Sequence, residues 1–214
     1  MKIIIFGLGQ TGQMVSSILR EQNHEIIGFV DDRLDDLSLK ESQQLFLGSR
    51  DYLIENSSYD AVCIGIGTIQ ARLAIAKWLD KHGIPTVSAI HKSAVISAEV
   101  KLGKNLIIGA NATLYINPSI GDGCFIGPSV TVSHDTKVGR FCLLSVGSVV
   151  GARCDLEDRV FVGTSATIMP TAFGSEARLR VGSGSVIGVG SAVIRDVPRD
   201  VTVIGTPAKV LKKR

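Results

Sequence analysis

The sequence predicts an α/β unit with a parallel sheet followed by a parallel β-helix, and three observations carry that prediction. A continuous apolar strand, Ile3 to Phe6, runs directly into Gly7-Leu8-Gly9-Gln10-Thr11-Gly12. From residue 96, thirteen consecutive aliphatics, Ile96 through Ile168, recur at every sixth position. The 23 glycines and only 5% aromatic residues suit a core of small and branched side chains. With 45% apolar and 20% charged residues, the 214-residue chain has the balance of a folded globular protein, which excludes disorder and low-complexity architectures. Its 23 basic and 20 acidic residues are mixed along the chain, and only Lys209, Lys212, Lys213 and Arg214 cluster. The charges therefore write no nucleic-acid or membrane footprint.

The first unit, residues 1–90, reads as strand, glycine loop and helix. The helix is marked by Met14, Val15, Ile18 and Leu19. Glycines at this spacing permit a tight turn and close backbone approach, and the helix start offers free N–H groups to a diphosphate. A second strand, Ile26 to Val30, ends in Asp31-Asp32, about 20 residues after the loop, where a carboxylate can bond a ribose or base. A third strand, Asp60 to Gly67, feeds Thr68 and a helix with Leu73, Ile75, Ala76, Trp78 and Leu79 on its apolar face. A fourth, around Thr86-Val87-Ser88, ends the unit before residue 95. Three strand ends line one crevice in this Rossmann-like reading. A dinucleotide-binding dehydrogenase needs two such halves, so a single nucleotide fits better and an NAD-dependent oxidoreductase is the weakest alternative.

The opening apolar run is too short for a signal-peptide core, and no stretch reaches the ~18 apolar residues of a membrane span, so a cytoplasmic protein is expected. Cys63, Cys124, Cys142 and Cys154 lack CxxC spacing and any clustering with histidine. They are expected to be reduced core side chains, with no metal site.

The second unit, residues 91–214, is written in sixes. Glycine usually follows the aliphatic, at 103, 109, 121, 127, 139, 151 and 163, and is expected to serve the corner where φ is unfavourable for other residues. The fourth residue after the aliphatic is small or branched, as at Val100, Ala112, Cys124, Val130, Cys142, Ser148, Cys154 and Ala166. Three hexads make one triangular coil of 18 residues, and coils stack at about 4.8 Å, giving roughly five to six coils. Cys124 and Cys142 should then stack in neighbouring coils. The phase breaks between Met169 and Arg178; the offset of 13 from Ile168 to Val181 reads as one extra residue in a bulged loop. Hexads resume at Val181, Ile187 and Val193, and Asp196-Val197-Pro198 with Gly205-Thr206-Pro207-Ala208-Lys209 closes the helix. Its flat faces and open edges call for neighbours, and a homotrimer is expected.

Of the four histidines, His24, His82 and His91 read as structural. His134 differs, because Val132-Ser133-His134-Asp135 puts an imidazole beside a carboxylate in a turn. Acyl transfer to an amine needs a base near neutral pH, and histidine has that intrinsic pKa. Adjacent residues of an extended strand point to opposite faces, so contact between the two requires corner geometry.

Over nearly its whole length the chain resembles the two-domain nucleotide-sugar acetyltransferases, among them the UDP-4-amino-sugar N-acetyltransferases of bacillosamine synthesis and the sialic-acid O-acetyltransferases. The resemblance is carried by the Gly7 to Gly12 loop, Val30-Asp31-Asp32, Ile64-Gly65-Ile66-Gly67 with Arg72, Ile90-His91-Lys92-Ser93-Ala94, the hexads, Ser133-His134-Asp135 and Val203 to Lys209. It implies a left-handed β-helix, acetyl-CoA as co-substrate and no metal. The nucleotide would lie on Gly9, Gln10, Thr11, Asp31, Asp32, Gly67 and Thr68, and the amine would reach His134, the base, with Asp135 tuning it. Acetyl-CoA would run along the β-helix between two subunits of the homotrimer, near backbone at Ala152, Thr164 and Val189, whose N–H groups would stabilise an oxyanion.

Thr11 and Leu143 stand where many members and some members, respectively, carry histidine, and the extra residue after Ile168 alters the CoA groove. The implied activity is N-acetylation of a nucleotide-linked amino-deoxysugar, with UDP favoured over dTDP or GDP. The alternatives are O-acetylation of a sialic-acid-like sugar and a non-catalytic nucleotide-sugar-binding scaffold.

Overall fold

A computed structural model describes residues 1–33, 45–170 and 177–213. The chain divides into two compact units, Met1–Lys92 and Ser93–Arg214. In the first, a parallel sheet has the strand order β3-β2-β1-β4, with β1 (Lys2–Phe6), β2 (Glu25–Val30), β3 (Phe46–Gly48) and β4 (Ala61–Ile64). Ile5 pairs with Phe29 of β2 on one side and Cys63 of β4 on the other, which is why Ile3 to Ile5 are fully buried. Thr86 adds a parallel bridge to Val62 at the edge. Helices α1 (Gln10–Glu21), α2 (Tyr52–Glu55) and α3 (Ile69–Lys81) complete the unit. Strand β3 is an element the sequence reading lacked. Its three residues carry too short a pattern to stand out, and they acquire their role by pairing with β2.

The second unit is a left-handed parallel β-helix of hexapeptide type. Within it the two-residue strands form three parallel ladders whose partners are 18 residues apart, as in Thr131↔Val149, Lys137↔Asp155 and Leu143↔Phe161. The sixth-position aliphatics fill the interior: Ile108, Leu114, Ile126, Val132, Leu144, Val150, Val162 and Ile168 are all 0% exposed. The chain ends in an antiparallel hairpin of Val201–Ile204 with Lys209–Lys213.

Two sequence expectations need correction. The glycine after each aliphatic does not supply the left-handed corner. Positive φ falls two residues later, at Asn105, Asn111, Asn117, Gly123, Ser129, Asp135, Phe141, Gly147, Arg153, Arg159 and Ser165. The following-position glycines are required instead by close approach between coils: a Cβ on Gly121 would lie 2.7 Å from the carbonyl carbon of Gly139 and 2.8 Å from Arg140 N. The second correction concerns the phase break. Val181 pairs with Leu156, 25 residues earlier rather than 18, so a single corner absorbs seven extra residues, not one. Residues 171–176 of the expected bulged loop lie outside the described residues.

The four cysteines are buried free thiols. Cys124 Sγ donates to Gly139 O at 3.0 Å and Cys142 Sγ to Glu157 O at 3.1 Å. Burial pushes the Cys142 thiol well above its usual range and Cys63 up to about 12, which keeps both protonated.

These two backbone roles predict opposite mutational outcomes. Gly121→Ala should lower stability by about 1–3 kcal/mol, because the new methyl meets backbone that cannot swing away. Ser129→Gly, at φ 55°, should leave the melting temperature unchanged or higher by relieving a left-handed residue of its Cβ. Thermal melts of the two variants check this directly.

Candidate active site

The first unit holds a cleft of about 550 Å³ at the C-terminal ends of its strands. The glycine loop, Asp31, Asp32 and the turn after β4 all line it, so Gly9, Gln10, Thr11, Asp31, Asp32, Gly67 and Thr68 are brought together. The reason is local. A Cβ on Gly12 would lie 1.8 Å from Gly7 O, and one on Gly65 2.7 Å from Gly12 Cα, so glycine alone lets helix α1 pack against both loops. A Cβ on Gly67 would come 2.9 Å from Thr11 Oγ1, so the two loops face each other closely. Helix α1 begins after Gly9 with no side-chain cap and no acidic residue in its first turn, leaving its first N–H groups to an anion. The buried Arg72 donates to Ile64 O at 2.9 Å and Ile66 O at 3.1 Å, which fixes the turn after β4.

Asp31 does more than end a strand. Its Oδ2 accepts from Leu8 N at 3.0 Å and from Arg33 Nη2 at 2.7 Å, and its Oδ1 accepts from Arg33 N and Nε. Burial alone would push this carboxyl up. The hydrogen bonds from Arg33 and Leu8 outweigh it and hold Asp31 below the usual carboxylate range. Asp31 therefore braces the glycine loop with both oxygens engaged. Asp32 pairs with Arg50, whose guanidinium lies 5.1 Å from the Trp78 ring centroid. Arg33 and Arg50 both line the cleft and were not singled out from sequence; isolated arginines carry no periodic signal, and only the fold aligns them with the aspartates.

In the second unit, Asp135 occupies a left-handed corner at φ 55°. That conformation turns its side chain back onto its neighbour, and His134 Nδ1 lies 3.0 Å from Asp135 Oδ2. The hydrogen bond from His134 is the main cause of a lowered Asp135 pKa, with smaller contributions from the Asn117 side chain and the charge of Arg178. An ionised carboxylate only accepts, so Nδ1 carries a proton, and in the neutral ring Nε2 is then the nitrogen with the lone pair. The two side chains are 45% and 50% exposed, open to a substrate. This is the orientation a general base needs.

Ala152 stands next to His134 on the same corner, one coil on, where Arg153 N donates to His134 O at 3.0 Å. Thr164 and Val189 stand together on a different corner, after the ladder of Phe161–Val162 and Val186–Ile187, and Gly190 N donates to Thr164 O at 2.9 Å. Val189 is 75% exposed. Within one chain these three positions are therefore not gathered into one site. His82 Nδ1 lies 2.8 Å from Trp78 O, and His91 Nε2 is 3.7 Å from Glu21, both interactions within the first unit. Among the described residues, no three His, Cys, Asp or Glu side chains group as a metal site, and no helix is long and apolar enough to cross a membrane.

A parallel α/β unit with a glycine-loop cleft and a hexapeptide β-helix with a His–Asp corner define a two-unit chain. Known families agree: residues 2–79 match the PglD N-terminal domain and residues 117–152 match the bacterial transferase hexapeptide (six repeats). PerB from Caulobacter crescentus, solved with CoA and GDP-perosamine, is 27% identical with a TM-score of 0.88, covering 99% of this chain and 98% of that one. The acetyltransferase domain of PglB from Neisseria gonorrhoeae, 24% identical over 98% and 99% of the two chains with a TM-score of 0.83, shares the fold. A galactoside O-acetyltransferase from Lactococcus lactis is 30% identical over 116 residues, 53% of each chain. The chain spans about half the length, or less, of the first curated relatives it matches. Over nearly its whole length the chain is similar in fold to these two-unit proteins, and each unit matches its own family model.

The engaged state of Asp31 predicts a pH signature. Its pKa is depressed in the fold, so its stabilisation is present above the ordinary carboxylate value of 3.8 and is lost as pH falls through the lowered one. Asp31→Asn should melt below the wild type at neutral pH, and the gap should shrink in acid below pH 3.8. Melting curves across that range test it.

Proposed function

We propose that this chain transfers the acetyl group of acetyl-CoA to the amino group of a nucleotide-linked amino-deoxysugar. The observation that carries the reading is the exposed His134–Asp135 pair at 3.0 Å, in a chain whose other unit presents a cleft lined by a glycine loop and two arginines. In this reading Gly9, Gln10, Thr11, Asp31, Asp32, Gly67 and Thr68 serve the nucleotide. Asp31 acts through the loop it braces. Helix α1 and the arginines answer the diphosphate charge.

At His134 the neutral sugar amine attacks the thioester carbonyl carbon while Nε2 removes its proton. The tetrahedral intermediate then collapses, the C–S bond breaks, and the imidazolium returns the proton to the leaving CoA sulfur. Asp135, held ionised, keeps the ring in register and stabilises the imidazolium. Acetyl-CoA occupies a groove between subunits of a homotrimer, near Ala152, Thr164 and Val189. Their separation onto two corners of one chain supports a groove shared by two copies. The enzyme works in the cytoplasm, where acetyl-CoA and nucleotide sugars are available.

PerB was solved with a GDP-linked sugar, so GDP stands beside UDP and dTDP as a candidate nucleotide. The galactoside O-acetyltransferase among the relatives supports a second reading, in which the same base deprotonates a hydroxyl.

Purified protein with acetyl-CoA and UDP-, dTDP- and GDP-4-amino sugars or sialic acid should release CoA thiol, and mass analysis should find one acetyl on an amino sugar. Acetylation of sialic acid alone would replace the amine with a hydroxyl as acceptor, and nucleotide-sugar binding without acetyl-CoA binding would make the chain a scaffold. His134→Ala should lower kcat by roughly 100- to 10,000-fold with nucleotide binding and assembly mass unchanged; retained turnover would remove the base.

A further inference from the structure

We propose that Arg178 is a positioning residue that locks His134 in the tautomer with Nε2 free, by pinning the Asp135 corner from two coils away. Val138, Leu156 and Val181 share one ladder, so the residues three before each of them, Asp135, Arg153 and Arg178, occupy one column of corners. Asp135 and Arg153 are left-handed there, whereas Arg178, which re-enters after the seven-residue excursion, is not. Its side chain instead lies down the column. Nη2 donates to Asp135 O at 2.6 Å and to Cys154 O at 3.3 Å, and Nε donates to Asp155 Oδ1 at 2.8 Å.

Arg178 is 23% exposed, as is its partner Asp155, so the clamp is largely shielded from solvent. One planar fork thus ties three coils together at the residue whose carboxylate selects the proton position on His134. Asn117, one coil below, adds a hydrogen bond to the same carboxylate. A small cleft beside this column is lined by Asp135 and Arg178, with Glu99, Lys101 and Lys137 as its other charged groups. Lysine cannot reproduce the fork, because it offers a point charge with no fixed pair of donors. Residue 178 is thus free of turning the chain through the left-handed region, and its guanidinium reaches the Asp135 corner.

The kinetic part of this inference rests on the acetyl-transfer reading; the tautomer does not. In protein carrying 15N-labelled histidine, long-range 1H–15N correlation of the neutral ring should show His134 protonated at Nδ1, with His134→Ala assigning the signal among the four histidines. Arg178→Met should move that ring toward the Nε2-protonated tautomer and, with an accepted sugar, lower kcat about ten-fold or more at little change in KM for acetyl-CoA. Arg178→Lys, which retains charge and is the milder change for folding, should show the same shift to a smaller degree. An unchanged His134 tautomer in both folded variants would overturn the proposal whether or not the wild type transfers acetyl. A changed tautomer with no turnover in the wild type would uphold the clamp and remove the enzyme reading instead.

Discussion

The backbone conformation at the corners of the β-helix governs both its shape and the contact between His134 and Asp135. At the third residue after successive core aliphatics the chain passes through the left-handed region, at φ values near 55–60° for most non-glycine corners. The turn it makes puts the next aliphatic back inside the prism and brings the next coil within hydrogen-bonding distance. An L-residue accepts this conformation at a cost on the order of 1 kcal/mol, which the parallel ladders on each side offset. At residue 135 the same turn does something a strand cannot: it folds a carboxylate back onto the preceding imidazole. A repeating structural device thus brings an imidazole and a carboxylate into contact through the identity of two side chains.

Coil stacking explains the remaining arrangement. A column of corners runs through Asn117, Asp135, Arg153 and Arg178, so a side chain from a distant part of the sequence can reach the site by lying along the column. The glycines that follow the aliphatics allow this spacing, since a methyl there would strike the backbone of the next coil. In the first unit the principle is similar. Gly7, Gly12 and Gly65 let two loops and a helix meet, and Asp31 ties the loop through its buried carboxylate. Both sites are built by close backbone approach, with charge placed where that approach leaves room.

Much of this was legible in the sequence. The sixfold aliphatic spacing located the prism core, and the strand, glycine loop and helix located the cleft. The adjacency of His134 and Asp135 suggested a base whose contact depends on a corner, and the corner is there. What escaped had physical reasons. The glycine after each aliphatic looks like a turn residue, but the constraint on it comes from a coil 18 residues away. The interval from Ile168 to Val181 fits two hexads plus one residue arithmetically, and only the pairing with Leu156 shows one corner with a long excursion. Arg33, Arg50 and Arg178 carry no pattern of their own. Asn117 could have been found, because it precedes Asp135 by one full coil.

In the proposed function His134 removes a proton and never carries the acetyl group. The most direct test is the intact mass of the protein after incubation with acetyl-CoA alone, taken with initial rates when both substrates are varied. The account predicts an unmodified protein and intersecting double-reciprocal lines, the pattern of direct transfer within a ternary complex. A stable acetyl adduct on the protein with parallel lines would contradict it and make a side chain of this chain the nucleophile.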